Sequence, residues 1–354
     1  MKRWVLFIYV LLCCCRVGAK QYLLEGTAGN DTLVMKLVVD GDIANSRFFY
    51  KSNVTDVEFN GSYNNGIVHL YAADSSASMI LKQLPDRTWT GKLAKDKHQI
   101  ISLKLHIVNI NAVKHSFSYL SSVKSFKKND QYEYLRSACF KLVNDTLFRY
   151  DSNYKIQTCH IKNTELNAIK IVADTVSKVV DKVNNILMDM LVQNAVYCKS
   201  CIAQDTNLSY GYSFDYTIKG NVLSAYVSLS LSCSGAMRMD YSDQTFNYDL
   251  NTGRPLVLDD VLYFKGVNGD NALQGNKIMS LLHRLYPDKM VNIDYCDYTD
   301  TLAWQNTDWR ITEKGLLLMP YFVRADLPCW DPDWPVISFD LLKKYRNPNK
   351  KVHW

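Results

Sequence analysis

The stretch that decides the fold is "TFNYDLNTGRPLVLDDVLYF", residues 245–264. Residues 245–249 alternate between polar and apolar side chains, which is the period of a half-buried strand. An Asn-Thr-Gly turn follows, in which Gly253 suits a position that requires a positive φ. A second apolar run closes on Asp259 and Asp260, which we expect to be the cap and a first-turn acid of a short helix. The stretch therefore predicts a strand, a turn and a helix.

The two adjacent acids also admit a catalytic interpretation, because paired carboxylates can carry out general acid–base chemistry. Adjacent residues of a strand face opposite sides of the sheet, so Asp259 and Asp260 would not readily share one substrate. We therefore favour the structural interpretation over a catalytic pair.

A long helix and a sheet are predicted around this stretch. Apolar residues recur every three or four positions between Leu166 and Met190, which predicts one helix from Asn163 or Thr164 to about Val196. Alternating runs predict strands at residues 210–218, 222–232, 309–311, 315–321 and 336–339. A second periodic run predicts a helix at residues 271–286. The predicted fold class is α+β, with the long helix packed on an antiparallel sheet over residues 156–346 and a tail at residues 347–354.

The N-terminal half has a different pattern. Residues 20–110 contain short alternating runs separated by turn signals, such as Asn-Asn-Gly at residues 64–66. Regular spacing of this kind predicts a small all-β domain, either a barrel or a sandwich. Residues 111–155 are predicted to be a linker or transition, with a short helix within residues 131–148.

The first residues have the three parts of a secretory signal peptide, predicted at residues 1–19. Lys2 and Arg3 precede an apolar run from Trp4 to Cys15, and small residues end at Ala19. A lipoprotein anchor is the alternative, because three cysteines end the apolar run, but no small residue precedes them. No later stretch is apolar enough to cross a membrane. We expect an extracytoplasmic protein, in the periplasm or secreted, without a transmembrane segment after cleavage.

Charge and motif content exclude several classes of function. The chain carries 41 basic and 35 acidic residues, a net charge of +6 that falls to +3 when Lys2, Arg3 and Arg16 leave with the signal peptide. This charge is too small and too dispersed for a nucleic-acid-binding protein. The seven histidines have no metal-binding spacing, and no phosphate-binding loop or nucleophile elbow occurs. We therefore predict no catalytic residue, no cofactor and no metal.

Cysteines beyond the signal peptide are disulfide candidates in an oxidising compartment. The seven candidates are Cys139, Cys159, Cys198, Cys201, Cys233, Cys296 and Cys329. An odd number leaves at least one thiol unpaired within the chain. Cys198 and Cys201 have the spacing of a redox motif, and with Cys159 and His160 they would also suit a zinc site. Structural disulfides are the favoured interpretation of the three.

Aromatic and acidic residues crowd together between residues 286 and 334. The binding candidates among them are Tyr295, Tyr298, Trp304, Trp309, Trp330, Asp331, Asp333 and Trp334. Exposed rings beside carboxylates can bind sugars or a cationic protein. The alternative is that the rings fill the core. A disulfide between Cys296 and Cys329 would join the two loops that carry the cluster.

The opening stretch is followed by "ITEKGLLLMPYFVRADLP" and "WPVISFDLLKKY". With this order of motifs, residues 155–345 resemble the C-terminal domain of bacterial lysozyme-sensing anti-sigma factors. This uncharacterised extracytoplasmic domain also accompanies some polysaccharide deacetylases. The resemblance implies structural roles for Gly253, Asp259, Asp260, Gly315 and Tyr321.

Two departures limit what the resemblance implies. Residues 234–237 are Ser-Gly-Ala-Met, where family members often carry a Gly-Gly-Ala-His type of turn, so any role of that histidine is absent. The chain also has no sigma-binding segment and no transmembrane helix. Signalling through sigma release is therefore not expected.

Three functions are compatible with these features. The first is a non-catalytic binding protein outside the cytoplasm, with a lysozyme-like muramidase or peptidoglycan as partner and an inhibitor or immunity role. The second is a cell-wall enzyme, with zinc on the cysteine and histidine group named above. The third is a structural envelope protein that docks through its β-domain. The resemblance favours the first.

Overall fold

The computed structural model of the chain describes most of the residues beyond the predicted signal peptide. The described residues are 19–95, 99–173, 177–201, 210–233, 239–267, 269–293, 296–322, 329, 331–348, 350 and 352. None of the helices in these ranges combines the length and the apolar character needed to cross a membrane.

The N-terminal part is a closed eight-stranded barrel, which confirms the all-β prediction and decides between barrel and sandwich. Its strands are β1 (Lys20–Ala28), β2 (Asp31–Asp40), β3 (Ile43–Tyr50), β4 (Val57–Asn64), β5 (Ile67–Ala72), β6 (Ala77–Gln83), β7 (Trp89–Lys95) and β8 (Gln99–Ile107). Each strand pairs antiparallel with the next, and β1 closes on β8. Alternate apolar residues such as Leu24, Met35 and Phe59 fill the interior, which is why the strands show a period of two.

Residues 111–155 contain more regular structure than a linker. A 3-10 turn at Ile110–Ala112 precedes α1 (Ser121–Asn129), α2 (Gln131–Ala138) and β9 (Leu142–Arg149). The side chain of Asp130 accepts a hydrogen bond from Glu133 N and caps α2. The helix predicted within residues 131–148 therefore ends at Ala138, and the remaining residues pair with β10 (Lys155–Ile161).

The long helix begins later than the sequence predicts. It is α3 (Lys178–Ser200), and residues predicted as its first turns form β11 (Asn167–Val172), which pairs with β10. Ile169 and Ile171 are buried two residues apart, the period of a strand, and the Ser177 side chain caps the helix by accepting from Val180 N. The prediction of one helix from residue 163 was wrong because the apolar spacing of the strand happened to continue the helical period.

The C-terminal part is α+β, as predicted, with α3 packed on an antiparallel sheet. That sheet contains β12 (Tyr210–Lys219), β13 (Val222–Leu231), β14 (Asp240–Asp249) and β15 (Arg254–Pro255). A second core lies at the far end of this sheet, between the sheet and the elements that follow it. Those elements are α4 (Leu258–Val261), α5 (Asn271–Leu285), β16 (Asn292–Ile293), β17 (Cys296–Asp297), α6 (Thr301–Gln305), β18 (Asp308–Ile311), β19 (Gly315–Met319), β20 (Val336–Ser338) and α7 (Phe339–Leu342). A 3-10 turn at Lys343–Tyr345 follows α7.

A buried ion-pair network joins the barrel to the helices. Arg136 of α2 is fully buried and donates to Asp56 Oδ1 at 2.5 Å and to Glu133 Oε2 at 2.6 Å. Its Nη1 also donates to the carbonyl of Lys199 at 2.9 Å, in the last turn of α3. Tyr132 Oη donates to the same Asp56 oxygen at 2.6 Å. One guanidinium thus connects the β3–β4 loop, α2 and the negative end of the α3 dipole.

The free energy of unfolding should fall in mild acid because of His115. Burial lowers the pKa of His115 to about 4 from its usual 6.5, and Phe117 N donates to Nδ1 of the neutral ring at 3.1 Å. In the unfolded chain His115 therefore takes up a proton below about pH 6.5, whereas in the folded protein it stays neutral down to about pH 4. We expect a loss of about 1 kcal/mol between pH 7 and pH 5, after allowing for solvent screening of a partly exposed ring. Urea unfolding of His115→Gln should lose most of this pH dependence, and an unchanged pH dependence would contradict the assignment.

Candidate functional site

The β12–β13–β14 sheet has two faces of opposite character. One face carries rings and aliphatic side chains, such as Phe214 and Leu229, which pack on α3. The opposite face, called here the outer face, carries polar residues in two cross-strand rows. The first row is Ser213, Ser228 and Asp243, and the second is Asp215, Tyr226 and Thr245. Period-two alternation in three adjacent strands therefore separates a polar face from the core, and Tyr226 on the polar face is itself buried against Leu317 and Met319.

Strand β18 is fastened to one end of the outer face by two hydrogen bonds. Asn247 Nδ2 donates to the carbonyl of Trp309 at 2.9 Å, and Ile311 N donates to Ser224 Oγ at 2.9 Å. Trp309 enters the core, so the next residue, Arg310, turns to the opposite side. The attachment thereby places Arg310 against the outer face.

Arg310 is the centre of a charged group on this face. Its Nη2 lies 3.3 Å from Asp331 Oδ1, and its Nη1 lies 3.8 Å from Asp215 Oδ2. The guanidinium carbon stands 4.3 Å from the centre of the Tyr226 ring, which is a cation–π distance. We use the name Arg310 cluster for Arg310, Tyr226, Asp215, Asp243, Asp331 and Asp333.

The cluster contains four carboxylates and one guanidinium, so it carries excess negative charge. Burial raises the pKa of Asp331; Arg310 opposes this rise, while Asp243, Asp333 and Asp215 add to it. Asp243 Oδ1 and Arg310 Nε are buried without a hydrogen-bond partner among the described residues. The cluster therefore has unused hydrogen-bonding capacity and a local charge that favours a cationic or donor-rich ligand.

The aromatic binding candidates mostly belong to the core. Trp304 is fully buried, Trp309 is 4% exposed and Tyr298 is 8% exposed. Trp304 Nε1 donates to the carbonyl of Tyr298 at 2.9 Å, so its polar atom is satisfied internally. Trp334 is half-buried against Tyr298, with ring centres 5.3 Å apart. Of the two interpretations, the core role applies to these rings, because they fill the space between α6, β18 and the loop before β20.

Two of the acidic candidates do reach the surface. Asp331 and Asp333 are exposed, and both belong to the Arg310 cluster. Tyr295 and Trp330 lie outside the described residues. Sequence reasoning missed Asp215, Asp243 and Arg310. The alternation of polar residues in β12 and β14 could have identified Asp215 and Asp243, if the two strands had been placed in one sheet with these residues on the same face.

The residues given structural roles lie beside the second core. Gly253 has a φ of 64° and donates to the carbonyl of Asp249 at 2.7 Å. Gly315 has a φ of 151° in the β18–β19 turn. Tyr321 is exposed, and its backbone N donates to the carbonyl of Ala303 at 2.7 Å.

The adjacent acids differ from the expected cap. Val257 occupies the cap position of α4, and Asp260, three residues later, accepts from Val257 N at 3.0 Å. Burial would raise the pKa of Asp260, but hydrogen bonds from Arg254, Val257 N and Lys350 outweigh it and lower the pKa. Asp259 instead accepts from Gln274 Nε2 at 2.9 Å. The two carboxylates hold separate parts of the fold together.

Two disulfides involve four of the seven cysteine candidates. Cys201 is bonded to Cys233, and Cys296 to Cys329, which joins the two loops of the aromatic cluster. The other three candidates, Cys139, Cys159 and Cys198, are free thiols, and burial raises their pKa values to about 11, 11 and 12.

These pairings bear on the redox and zinc alternatives. Cys198 and Cys201 do not bond to each other, and the disulfide removes Cys201 from any zinc site. His160 Nδ1 is 2.8 Å from Asp145. The described part of the chain contains no group of three or more His, Cys, Asp or Glu residues that could hold a metal ion.

Comparisons with known proteins find only distant similarity. No protein-family model matches the chain, and no curated protein matches it significantly. One similar solved structure is a member of the DUF3298 family from Bacteroides fragilis, 16% identical, covering 59% of this chain and 93% of that chain with a TM-score of 0.33. Another is described as a glycoside hydrolase, 10% identical, covering 68% of this chain and 77% of that chain with a TM-score of 0.13. Neither similarity carries an argument about function.

Proposed function

We propose that this chain is a non-catalytic extracytoplasmic binding protein whose Arg310 cluster recognises a basic, lysozyme-like muramidase. The observation that carries the proposal is the excess of carboxylates over guanidinium groups on the outer face, on a scaffold of paired strands. The paired strands hold Asp215 and Asp243 without the entropy cost of ordering a loop, and Asp331 and Asp333 are added by the loop before β20. The two disulfides fit an oxidising compartment outside the cytoplasm.

The local charge differs in sign from the charge of the whole chain. Without residues 1–19 the chain has a net charge of +3, whereas the Arg310 cluster sums to –3 when its acids are ionised. Attraction for a basic enzyme would then act at short range, within about one Debye length of roughly 8–10 Å. Binding should accordingly weaken as salt concentration rises.

Peptidoglycan is the competing partner in this proposal. Unpaired acceptors such as Asp243 Oδ1 suit sugar hydroxyls as well as ammonium or guanidinium groups. The rings that would stack on sugars are largely in the core, which favours the protein partner over the glycan. An inhibitor or immunity role follows if the bound muramidase loses its lytic activity.

Removing two carboxylates should weaken muramidase binding. We expect Asp331→Asn/Asp333→Asn to raise the Kd for a basic lysozyme about tenfold, equivalent to about 1.4 kcal/mol, because two of the four negative charges disappear. Calorimetry with a panel of lysozymes, with lytic activity followed in parallel, measures this effect. The matched control is Asp288→Asn/Asp340→Asn, which removes the same charge from exposed positions outside the cluster.

Three results separate the alternatives. An equal loss of affinity in the control would mean that net charge, and not the Arg310 cluster, determines binding. Binding of N-acetylglucosamine oligomers without any lysozyme binding would replace the muramidase with a wall glycan. No binding of either would overturn the proposal and favour a structural envelope role.

A further inference from the structure

The barrel contains a pocket that is independent of the outer face. It has a volume of about 360 Å³ and lies where β3 ends and β4 begins. Eight-stranded barrels are just wide enough for side chains to fill, or to hold one small ligand. Ala72 and Ala77 occupy inward positions at this end, where their small side chains leave the interior incompletely filled. The volume is near the lower limit of roughly 300–1,000 Å³ for ligand sites.

The inner end of the pocket is apolar, whereas Glu58, Asn60, Asp74 and Ser76 line the rest of it. Phe48, Phe59 and Leu93 are buried inward residues of the barrel core and line the pocket. The two phenylalanine rings meet edge to face, with centres 5.3 Å apart. Such rings in low-energy contact form a rigid surface for an aromatic ring or a short aliphatic chain.

Two polar groups stand among these apolar side chains. Lys95 shares an inward-facing row with Ala77, and its ammonium lies 4.9 Å from the centre of the Tyr50 ring. The ion pairs of the described barrel residues are Lys51 with Glu25 and Arg47 with Asp56, so the Lys95 ammonium is left without a carboxylate there. Tyr50 Oη is buried without a hydrogen-bond partner among the described residues. A buried donor without an acceptor is costly, and it is unusual in a folded protein.

The acidic residues near the pocket do not neutralise this pair of donors. Glu58 also lines the pocket, but it alternates in β4 with the inward residues Val57 and Phe59, so its side chain leaves the strand on the opposite face. Asp74 accepts from Ser76 N at 2.9 Å and from Ser76 Oγ at 2.7 Å, within its own turn. The free hydrogen-bonding capacity at the apolar end of the pocket therefore consists of donors.

We propose that this pocket binds a small amphipathic anion, with an aromatic or short aliphatic body against Phe48 and Phe59. Its carboxylate accepts hydrogen bonds from the Lys95 ammonium and the Tyr50 hydroxyl. A charge-assisted contact of this kind is stronger in a dry, apolar pocket than on the surface. The ligand class is a small carboxylic acid, either an aromatic acid or a medium-chain fatty acid.

The test uses two dyes that differ only in charge. Anilinonaphthalene sulfonate carries the rings and an anion, and N-phenylnaphthylamine carries the same rings without it. Both are titrated by fluorescence into the exported full-length protein. We expect one-to-one binding of the sulfonate dye, with Lys95→Met raising its Kd at least tenfold and changing the Kd of the neutral dye less than threefold. Lys92→Met, an exposed lysine on the same strand, should change neither.

Two further variants locate the dye. Ala77→Phe fills the pocket and should abolish binding of both dyes, while Lys95→Met remains informative if that variant folds poorly. Tyr50→Phe removes the unpaired hydroxyl, so it should raise the melting temperature of the free protein and weaken the sulfonate dye several-fold. Equal effects of Lys95→Met on both dyes, or full binding in a folded Ala77→Phe protein, would overturn the proposal.

Displacement identifies the source of the ligand. Phenylpropionate and octanoate are titrated against the bound sulfonate dye. Displacement by phenylpropionate supports an aromatic acid, and displacement by octanoate supports a medium-chain fatty acid. Failure of both acids to displace the dye would overturn the carboxylate assignment.

Discussion

Replacing Arg136 with methionine lowers the free energy of unfolding by about 3–5 kcal/mol, the range for breaking a buried ion pair by removing one partner. Methionine has a similar length and keeps much of the packing, so the loss reports on charge and hydrogen bonds. The variant leaves the buried carboxylate of Glu133 without its cation, and Asp56 keeps only its ion pair with Arg47. The carbonyls of Val54 and Lys199 also lose a donor. Urea unfolding followed by circular dichroism measures the change.

A control separates this network from a general effect of losing an arginine. Arg149 lies on exposed β9 and donates to the carbonyl of Ser152 at 3.3 Å, so Arg149→Met should cost less than about 0.5 kcal/mol. Adding Glu133→Gln to Arg136→Met should recover part of the loss, because one uncompensated buried charge is removed. A loss below about 1 kcal/mol in Arg136→Met would show that the barrel and the helices are held together by other contacts.

The importance of Arg136 was not visible in the sequence. It lies in the short helix predicted within the linker or transition, and nothing in its neighbours distinguishes a buried arginine from an exposed one. Its burial depends on Asp56, 80 positions earlier, and on the end of α3, 63 positions later. Period-two runs and turn residues are local features of the sequence. They therefore predicted the strands of the barrel, but neither the pairing that closes the barrel nor its attachment to the helices α2 and α3.

The candidate site shows the same division between local and long-range information. Asp331 and Asp333 were predicted because they are close in sequence to aromatic residues and a cysteine. Arg310, Asp215 and Asp243 join them only because three strands and a loop converge, which depends on topology. For the rings, a binding role and a core role both stayed open, because the same composition is found in cores and in binding sites. Burial, which is a property of the fold, decided against them.

Gly315→Ala should cost about 3 kcal/mol of folding free energy. Gly315 has a φ of 151°, and a Cβ built there would lie 2.2 Å from the carbonyl oxygen of Ile337 in β20. That atom belongs to the backbone of a paired strand, so neither side can yield without breaking the β19–β20 pairing. Strain at such a position costs on the order of 1–3 kcal/mol, and the close contact adds to it. The change also displaces the turn that positions Arg310, so muramidase binding should weaken together with stability.

The control for backbone conformation is Gly266→Ala. Gly266 has a φ of 86° with no atom within 4 Å of a Cβ built there, so this substitution carries the conformational cost without a collision. Alanine also restricts the unfolded chain, which offsets part of that cost, and we expect a net loss below about 1 kcal/mol. The difference between the two variants, about 2 kcal/mol, isolates the collision with Ile337. Equal losses would mean that β20 does not approach Gly315 this closely.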